Sequence, residues 1–270
     1  FPGNAPVRLS TSSSMGSTAF MSLPTFDTWR PTIVLGPPSA PPTVTYTILV
    51  LTILIYLLQM ATNFLTGYDW PLIFGAKESS LIRDGQIWRL ITPILLHGSL
   101  WHIGFNMYAL LSFGTGLEQH FGHRRFLLLY GLGAFTGNVM SFLFTDAVSV
   151  GASTAIFGLI GAEAVFLIQN RRLFAHQFRS AIGNILFIIF VNLFLGLAPN
   201  IDNWGHIGGL IGGLMFTWFA GPLWEVEGIP PMLQLVDKRE AREEFTGAVV
   251  TAVIFGALAV LHPLGKVPEQ

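Results

Sequence analysis

The sequence has no cysteine, which removes disulfides, thiolate nucleophiles and cysteine-ligated metals from consideration. It is also poor in charge. Only 11% of its residues are Asp, Glu, Lys or Arg, where a soluble domain carries about 25%. A water-soluble globule of 270 residues could not cover its surface with so few charges. The 14 basic and 15 acidic residues give a net charge of -1, so no basic footprint for nucleic acid exists. There is no Gly-x4-Gly-Lys-Ser/Thr run and no His-Glu-x2-His pair. Nucleotide and zinc-hydrolase readings therefore lack their motifs, and no cofactor or metal is expected. What the chain has in quantity is apolar surface: 51% hydrophobic residues and a mean hydropathy of +0.59. The fold class expected is an all-α polytopic membrane protein.

Residues 1–43 differ from the rest. The run Ser10-Thr11-Ser12-Ser13-Ser14 and the pairs Pro37-Pro38 and Pro41-Pro42 mark a segment that cannot bury enough apolar surface to offset its ordering entropy. A flexible arm is expected there. It opens on Phe1 and not on Met, and it lacks the order of a signal peptide. From Val44 the chain reads as apolar blocks near 44–65, 100–119, 126–145, 150–169, 182–199, 205–222 and 246–262. Each is close to the roughly 20 residues a helix needs to cross a bilayer. The expected organisation is a six-span core over 44–222, a charged linker over 223–245, and a seventh transmembrane helix with a short tail over 246–270. The linker, with Glu225, Glu227, Asp237, Lys238, Arg239, Glu240, Arg242, Glu243 and Glu244, reads as a solvated amphipathic helix. Loop 66–99, which holds Trp70, Phe74, Trp88 and Ile91, is too apolar for solvent and too interrupted for a span. It is expected in the membrane interface.

Seven spans put the termini on opposite sides. Arg8, Arg30, Arg124, Arg125, Arg171, Arg172, Arg179, Lys238, Arg239 and Arg242 share the N-terminal side, against Lys77, Arg83, Arg89 and Lys266 on the other. The basic excess places the N-terminus in the cytoplasm or its organellar equivalent. A bacterial inner membrane is the default location and an organellar membrane the alternative.

Polar side chains inside spans are expensive and are functional hypotheses by default. His102 and Asn106 share a face of the second span, and Ser153 and Phe157 a face of the fourth. The sixth begins Asn203-Trp204-Gly205-His206 and continues through Gly209 to Gly213. These three spans start on the same side, so His102, Ser153 and His206 lie at one depth, a few residues below the outer surface. Gly209-x3-Gly213 is also a helix-packing motif, and close approach of the fourth and sixth spans would bring His206 within reach of Ser153. His97, His120, His123, His176 and His262, at span ends or in loops, read as packing residues. Asp202 reads as the cap of its helix. Glu163, ten residues beyond Ser153 and so about 15 Å deeper, is too far for the same chemistry.

The run His97-x4-His102-x3-Asn106, the motif Gly151-Ala152-Ser153-x3-Phe157-Gly158 and the sixth-span Gly205-His206-x2-Gly209-x3-Gly213 together resemble the rhomboid family of intramembrane serine proteases. Trp88-Arg89 resembles the family's first-loop signature and Glu118 its acidic residue at the end of the second span. The resemblance covers about residues 44–222, and the helix after the linker is similar to the six-plus-one arrangement of some members. It implies a Ser153–His206 dyad with Phe157 packed on the imidazole, and an oxyanion site made by the Ser153 N–H, His102 and Asn106. It also implies support from Gly151 and structural roles for Trp88, Arg89, Glu118, Gly209 and Gly213. One departure stands out: Thr154 follows the serine where Gly or Ala is usual, and its β-branch is expected to crowd the substrate carbonyl.

The function this implies is an intramembrane serine endopeptidase acting on single-span membrane proteins in the lipid bilayer. The alternative is a catalytically silent relative that binds transmembrane helices as a scaffold or as a subunit of a membrane complex or oligomer. Silent members of that family usually lack the serine or the histidine, and this chain has both. A transporter would need polar groups along a whole pathway, whereas here they cluster at one depth.

Overall fold

Helix α1 (Thr43–Thr66) shows how the chain is built for lipid. Its buried residues are Thr45, Ile48, Thr52 and Gln59, spaced at three, four and seven along one face. Leu51, Leu54, Leu57 and Leu58 are exposed. A polar stripe faces the protein and a leucine-rich one faces outward, the reverse of a soluble helix, because hydrocarbon gives helices no hydrophobic drive to associate.

The structure is a computed structural model that describes residues 7–8, 34–35, 40–175, 177–199, 201–229 and 232–265. Ahead of α1 lie two two-residue strands, β1 (Val7–Arg8) and β2 (Val34–Leu35), paired antiparallel. The rest of the expected arm, to residue 39, is outside the described residues, as is His176. After α1 come two short helices, α2 (Trp70–Gly75) and α3 (Ser79–Arg83), and two 3₁₀ turns, Ile87–Leu90 and Thr92–Leu95. The long helices follow: α4 (Leu100–Ala109), a π turn over Leu110–Gly114, α5 (Thr115–Phe144), α6 (Ser153–Gln169), α7 (Phe178–Leu195) and α8 (Asn203–Ala220). A hairpin of β3 (Trp224–Ile229) and β4 (Met232–Asp237) leads to α9 (Ala241–Gly265).

Among the described residues, four segments are long and apolar enough to cross a membrane: Thr43–Thr66, Leu100–Phe144, Phe178–Leu195 and Ala241–His262, with the 17-residue α6 shorter. Leu100–Phe144 spans 45 residues and is broken at Gly122, whose φ of 74° no helix contains. The protein is thus a multi-pass integral membrane protein built mostly of helices, of the all-α class. Its centre is α6, buried at every position from Thr154 to Leu167.

The linker departs from expectation. Residues 224–237 form a hairpin and not an amphipathic helix, and α9 begins at Ala241. A helix there would have to carry Gly228, which adopts φ 107°, and the prolines at 230 and 231, which lack the N–H a helix needs. Of the linker's acidic residues, Asp237 pairs with Arg125 at 2.5 Å, Glu244 with Arg125 at 3.3 Å and Glu243 with Arg239 at 3.1 Å, while Glu225, Glu240 and Arg242 are exposed.

Loop 66–99 is a set of short helical turns tied by one buried cation. Arg89, 2% exposed, donates to Gln86 Oε1, Ala76 O and Ile73 O at 2.7–2.8 Å. Trp88, half exposed, donates its indole N–H to Phe74 O at 3.0 Å. At the other end of the bundle, fully buried Glu118 accepts from Val44 N, Thr45 N and Thr45 Oγ1 at 2.7–2.8 Å. It caps the first turn of α1 from another helix, since Pro42 at the N-cap supplies no side-chain acceptor. His123 Nδ1 lies 2.6 Å from the same carboxylate.

Helices α5, α6 and α8 meet where side chains stop. A Cβ at Gly209 would fall inside the Thr154 carbonyl, and one at Gly213 inside that of Gly158. Gly137 on α5 leaves 2.6 Å between such a Cβ and Thr154 Cβ. Gly209→Ala is therefore expected to lower stability by about 1–3 kcal/mol, the usual cost of overpacking. Gly183→Ala, where a Cβ meets nothing within 4 Å, is expected to change it little. Thermal unfolding in detergent compares the two.

Candidate active site

Ser153 is the first residue of α6, so its backbone N–H has no partner inside the helix and points from the positive end of the helix dipole. His206 is the fourth residue of α8, whose glycine face sets it against α6. The result is a contact of 3.0 Å between His206 Nε2 and Ser153 Oγ. The Phe157 ring lies on the imidazole, 4.4 Å between centroids and 8° from parallel. No carboxylate hydrogen-bonds His206 Nδ1 among the described residues. Asp202 does cap α8, accepting from Gly205 N at 2.9 Å through Oδ1.

Gly151 brings the third helix in. Its φ of 127° suits a residue without Cβ. A Cβ there would lie 2.6 Å from His102 Nε2 and 3.7 Å from Ser153 Oγ, so the glycine is what lets the His102 ring sit beside the serine. Asn106 stands one turn along α4 and donates one amide hydrogen to His102 O at 2.9 Å, leaving the second. All these groups open on one cavity of about 1370 Å³, lined among others by His102, Asn106, Ser153, Phe157, Asn192 and His206.

Thr154 does not crowd this cavity. It is 4% exposed, and its Cγ2 packs on Gly137 and Gly205, because the first turn of α6 points residue 154 at α5 and α8 while residue 153 faces the open side. Its hydroxyl is buried with no partner among the described residues. Glu163 is buried in α6, with Oε2 likewise unpartnered among the described residues.

Sequence reading sets His97 aside as a packing residue, yet the structure puts it directly behind the site. Its ring meets that of His102 edge-on at 5.0 Å, and Ala152 N donates to its Nε2 at 3.4 Å. Burial, reinforced by His102, pushes His97 down to about 3, which keeps the imidazole neutral and able to accept. Gln59 on α1 holds the same segment, accepting from His97 N at 3.1 Å and donating to Asp69 at 2.9 Å. Lys77 is the second residue missed. It is completely buried, and its Nζ donates to Thr145 O and Ala147 O at 2.5 and 3.0 Å. Its backbone pairs with Ser149 in both directions at 3.0 Å. Burial pulls its ammonium down to about 8, partly offset by Asp202 and Asp146. A lone lysine in an apolar loop was the only sign in the sequence.

The model of the rhomboid domain matches residues 84–223. The chain belongs to the rhomboid family. It is 47% identical over 173 residues to "Rhomboid protease GluP" of Bacillus subtilis (strain 168), covering 64% of this chain and 34% of that protein. To "RHOMBOID-like protein 6, mitochondrial" of Arabidopsis thaliana it is 41% identical over 141 residues, 52% of this chain and 46% of the other. To "Rhomboid-like protease 1" of Toxoplasma gondii it is 35% identical over 144 residues, 52% and 49% of the two chains. The chain thus spans about a third of the length of the Bacillus relative and about half of the other two.

Within this rhomboid chain, Thr154→Val replaces a partnerless buried hydroxyl with a methyl of the same shape. It is expected to raise stability by about 1 kcal/mol in equilibrium unfolding, and to leave the reactivity of Ser153 toward a fluorophosphonate unchanged.

Proposed function

We propose that this rhomboid-family protein is an intramembrane serine endopeptidase. The observation that carries the reading is the 3.0 Å contact of Ser153 Oγ with His206 Nε2 inside a cavity that a peptide can enter. Ser153 attacks the scissile carbonyl while His206 takes its proton at Nε2 and later gives it to the leaving amine. Phe157 holds the imidazole by its face. The developing oxyanion is met by the Ser153 N–H at the start of α6, by His102 and by the second amide hydrogen of Asn106.

Counting Leu100–Phe144 as two and adding α6 and α8 gives seven crossings, which with the excess of basic residues at the N-terminal side supports a cavity mouth on the outer face. Substrates are then single-span proteins cut near their outward end. Loop residues 145–150 support an extended substrate backbone. Ser149 is paired with Lys77, whereas the backbone groups of Val148 and Val150 have no partner among the described residues and line the cavity. A helical peptide could not use that edge, since its carbonyls are engaged in the i→i−4 ladder. Substrates should therefore carry Gly, Pro or other helix-weakening residues near the cut. The wall that supports lateral entry best is α7, buried only at Ala181 and Ile185.

Ser153→Ala and His206→Ala are each expected to abolish cleavage of a transmembrane reporter while the chain still inserts and folds. Cleavage surviving in Ser153→Ala would leave the silent helix-binding protein as the better reading. His102→Ala and Asn106→Ala should lower kcat by about 10²–10³, the usual worth of one oxyanion donor, with little change in KM. Replacing the helix breakers of a cleaved reporter by Leu should slow its cleavage at least tenfold, read against the parent by single-turnover rates; equal rates would remove the substrate rule.

A further inference from the structure

The two carboxylate oxygens of Asp202 are used unequally. Oδ1 caps α8 by accepting from Gly205 N at 2.9 Å. Oδ2 is buried and accepts nothing among the described residues. One turn along the same face of α8, His206 has its Nδ1 buried and likewise without a partner, while its Nε2 faces Ser153. The Asp202 charge acts on the His206 imidazole and on the Lys77 ammonium behind the cavity wall. Among the described residues it is the only Asp or Glu lining the cavity, and no Lys or Arg lines it.

Proton transfer from Ser153 makes a cation of His206. That cation forms in the first turn of α8, where the positive end of the helix dipole opposes it, and in surroundings that exclude most water. Of the other titratable groups nearby, His102 on α4 and His97 behind it are imidazoles and supply no negative charge. Lys77 has the wrong sign. We propose that Asp202, beyond capping its helix, is the counter-charge for the His206 imidazolium in the hydrolysis argued above, on which this inference rests. In that step the Ser153 hydroxyl proton moves to Nε2 as Oγ bonds to the carbonyl carbon, and negative charge collects on the carbonyl oxygen. Nε2 then gives the proton to the amine as the C–N bond breaks. Asp202 exchanges no proton and touches no reacting atom; it is a positioning residue that acts through the imidazole.

Cap and counter-charge can be separated, because Asn caps a helix as well as Asp does but carries no charge. The experiment measures kcat and KM for a transmembrane reporter in detergent or liposomes. Rates are normalised to sites labelled to completion by a fluorophosphonate, and thermal unfolding of each variant is recorded. In Asp202→Asn, kcat per labelled site should fall by roughly tenfold, the scale of one charge acting near a helix terminus. KM, the labelled fraction and the unfolding midpoint should match wild type. Asp202→Ala, lacking cap and charge, should lower the midpoint as well. Wild-type kcat per labelled site in Asp202→Asn would overturn the inference and leave the residue a cap. A loss of rate in Asp202→Asn that appears only as a lower midpoint or a smaller labelled fraction overturns it equally. An inactive wild-type chain overturns the hydrolase reading and this inference with it, whereas an active wild type matched in kcat per labelled site by Asp202→Asn overturns this inference alone.

Discussion

Everything at the site depends on two helices touching without side chains between them. Oil does not push helices together inside a membrane, so α6 and α8 associate by close van der Waals contact. Gly209 against Thr154 and Gly213 against Gly158 bring the backbones near enough for a serine on one helix to meet a histidine on the other. A single methyl in this seam would overlap the facing carbonyl, 1.9 Å from Thr154 O at Gly209 and 2.0 Å from Gly158 O at Gly213. The same seam admits α5 through Gly137 and Gly133, so three helices share one thin contact and the Ser153–His206 contact sits at its end.

The polar groups that this arrangement buries are spent on holding loops, not on lining a pathway. Arg89 gathers the carbonyls of loop 66–99, Lys77 gathers those of the segment before Ser153, and Glu118 gathers the free N–H groups of α1. Each is an ion almost wholly removed from water, a position that is costly unless hydrogen bonds satisfy it, and each is given two or more. Backbone that would otherwise lie unsatisfied at the membrane edge is thereby fixed in one conformation, and Ser153 inherits that fixity through Gly151 and Ala152.

The serine, the histidines, the asparagine and the packing glycines were legible in the sequence because polar residues and small ones stand out against an apolar background, and span direction sorted them by depth. What was not legible needed contacts between segments distant along the chain. Lys77 and Ser149 are 72 positions apart in sequence, and no local pattern announces a bridge between two irregular loops. His97 looked like a span-end histidine because its role is to accept from Ala152, in another loop. Thr154 was expected beside the substrate carbonyl; which side of a helix a residue takes in its first turn depends on how that helix meets its neighbours. The linker misled for a different reason. Charge count suggested a helix, but Gly228, at a φ no helix contains, and β-branched Val236 respond to backbone conformation, which charge count does not report.

The hairpin after α8 has a bearing on the architecture as a whole. Through it, Asp237 reaches Arg125 at the start of the helix that follows Gly122, and Glu244 of α9 reaches both Arg124 and Arg125. Helix α9 packs on α5 and α8, with Gly247 set against Phe216 and Phe219, on the far side of these helices from the cavity lining. The seventh helix is therefore keyed to the core by ion pairs at one end and by a flat apolar face along its length. A brace attached in this way stands apart from the cavity: none of the residues that line it lies beyond His206, so what this end of the protein holds is separated from Ser153 by the width of the glycine seam.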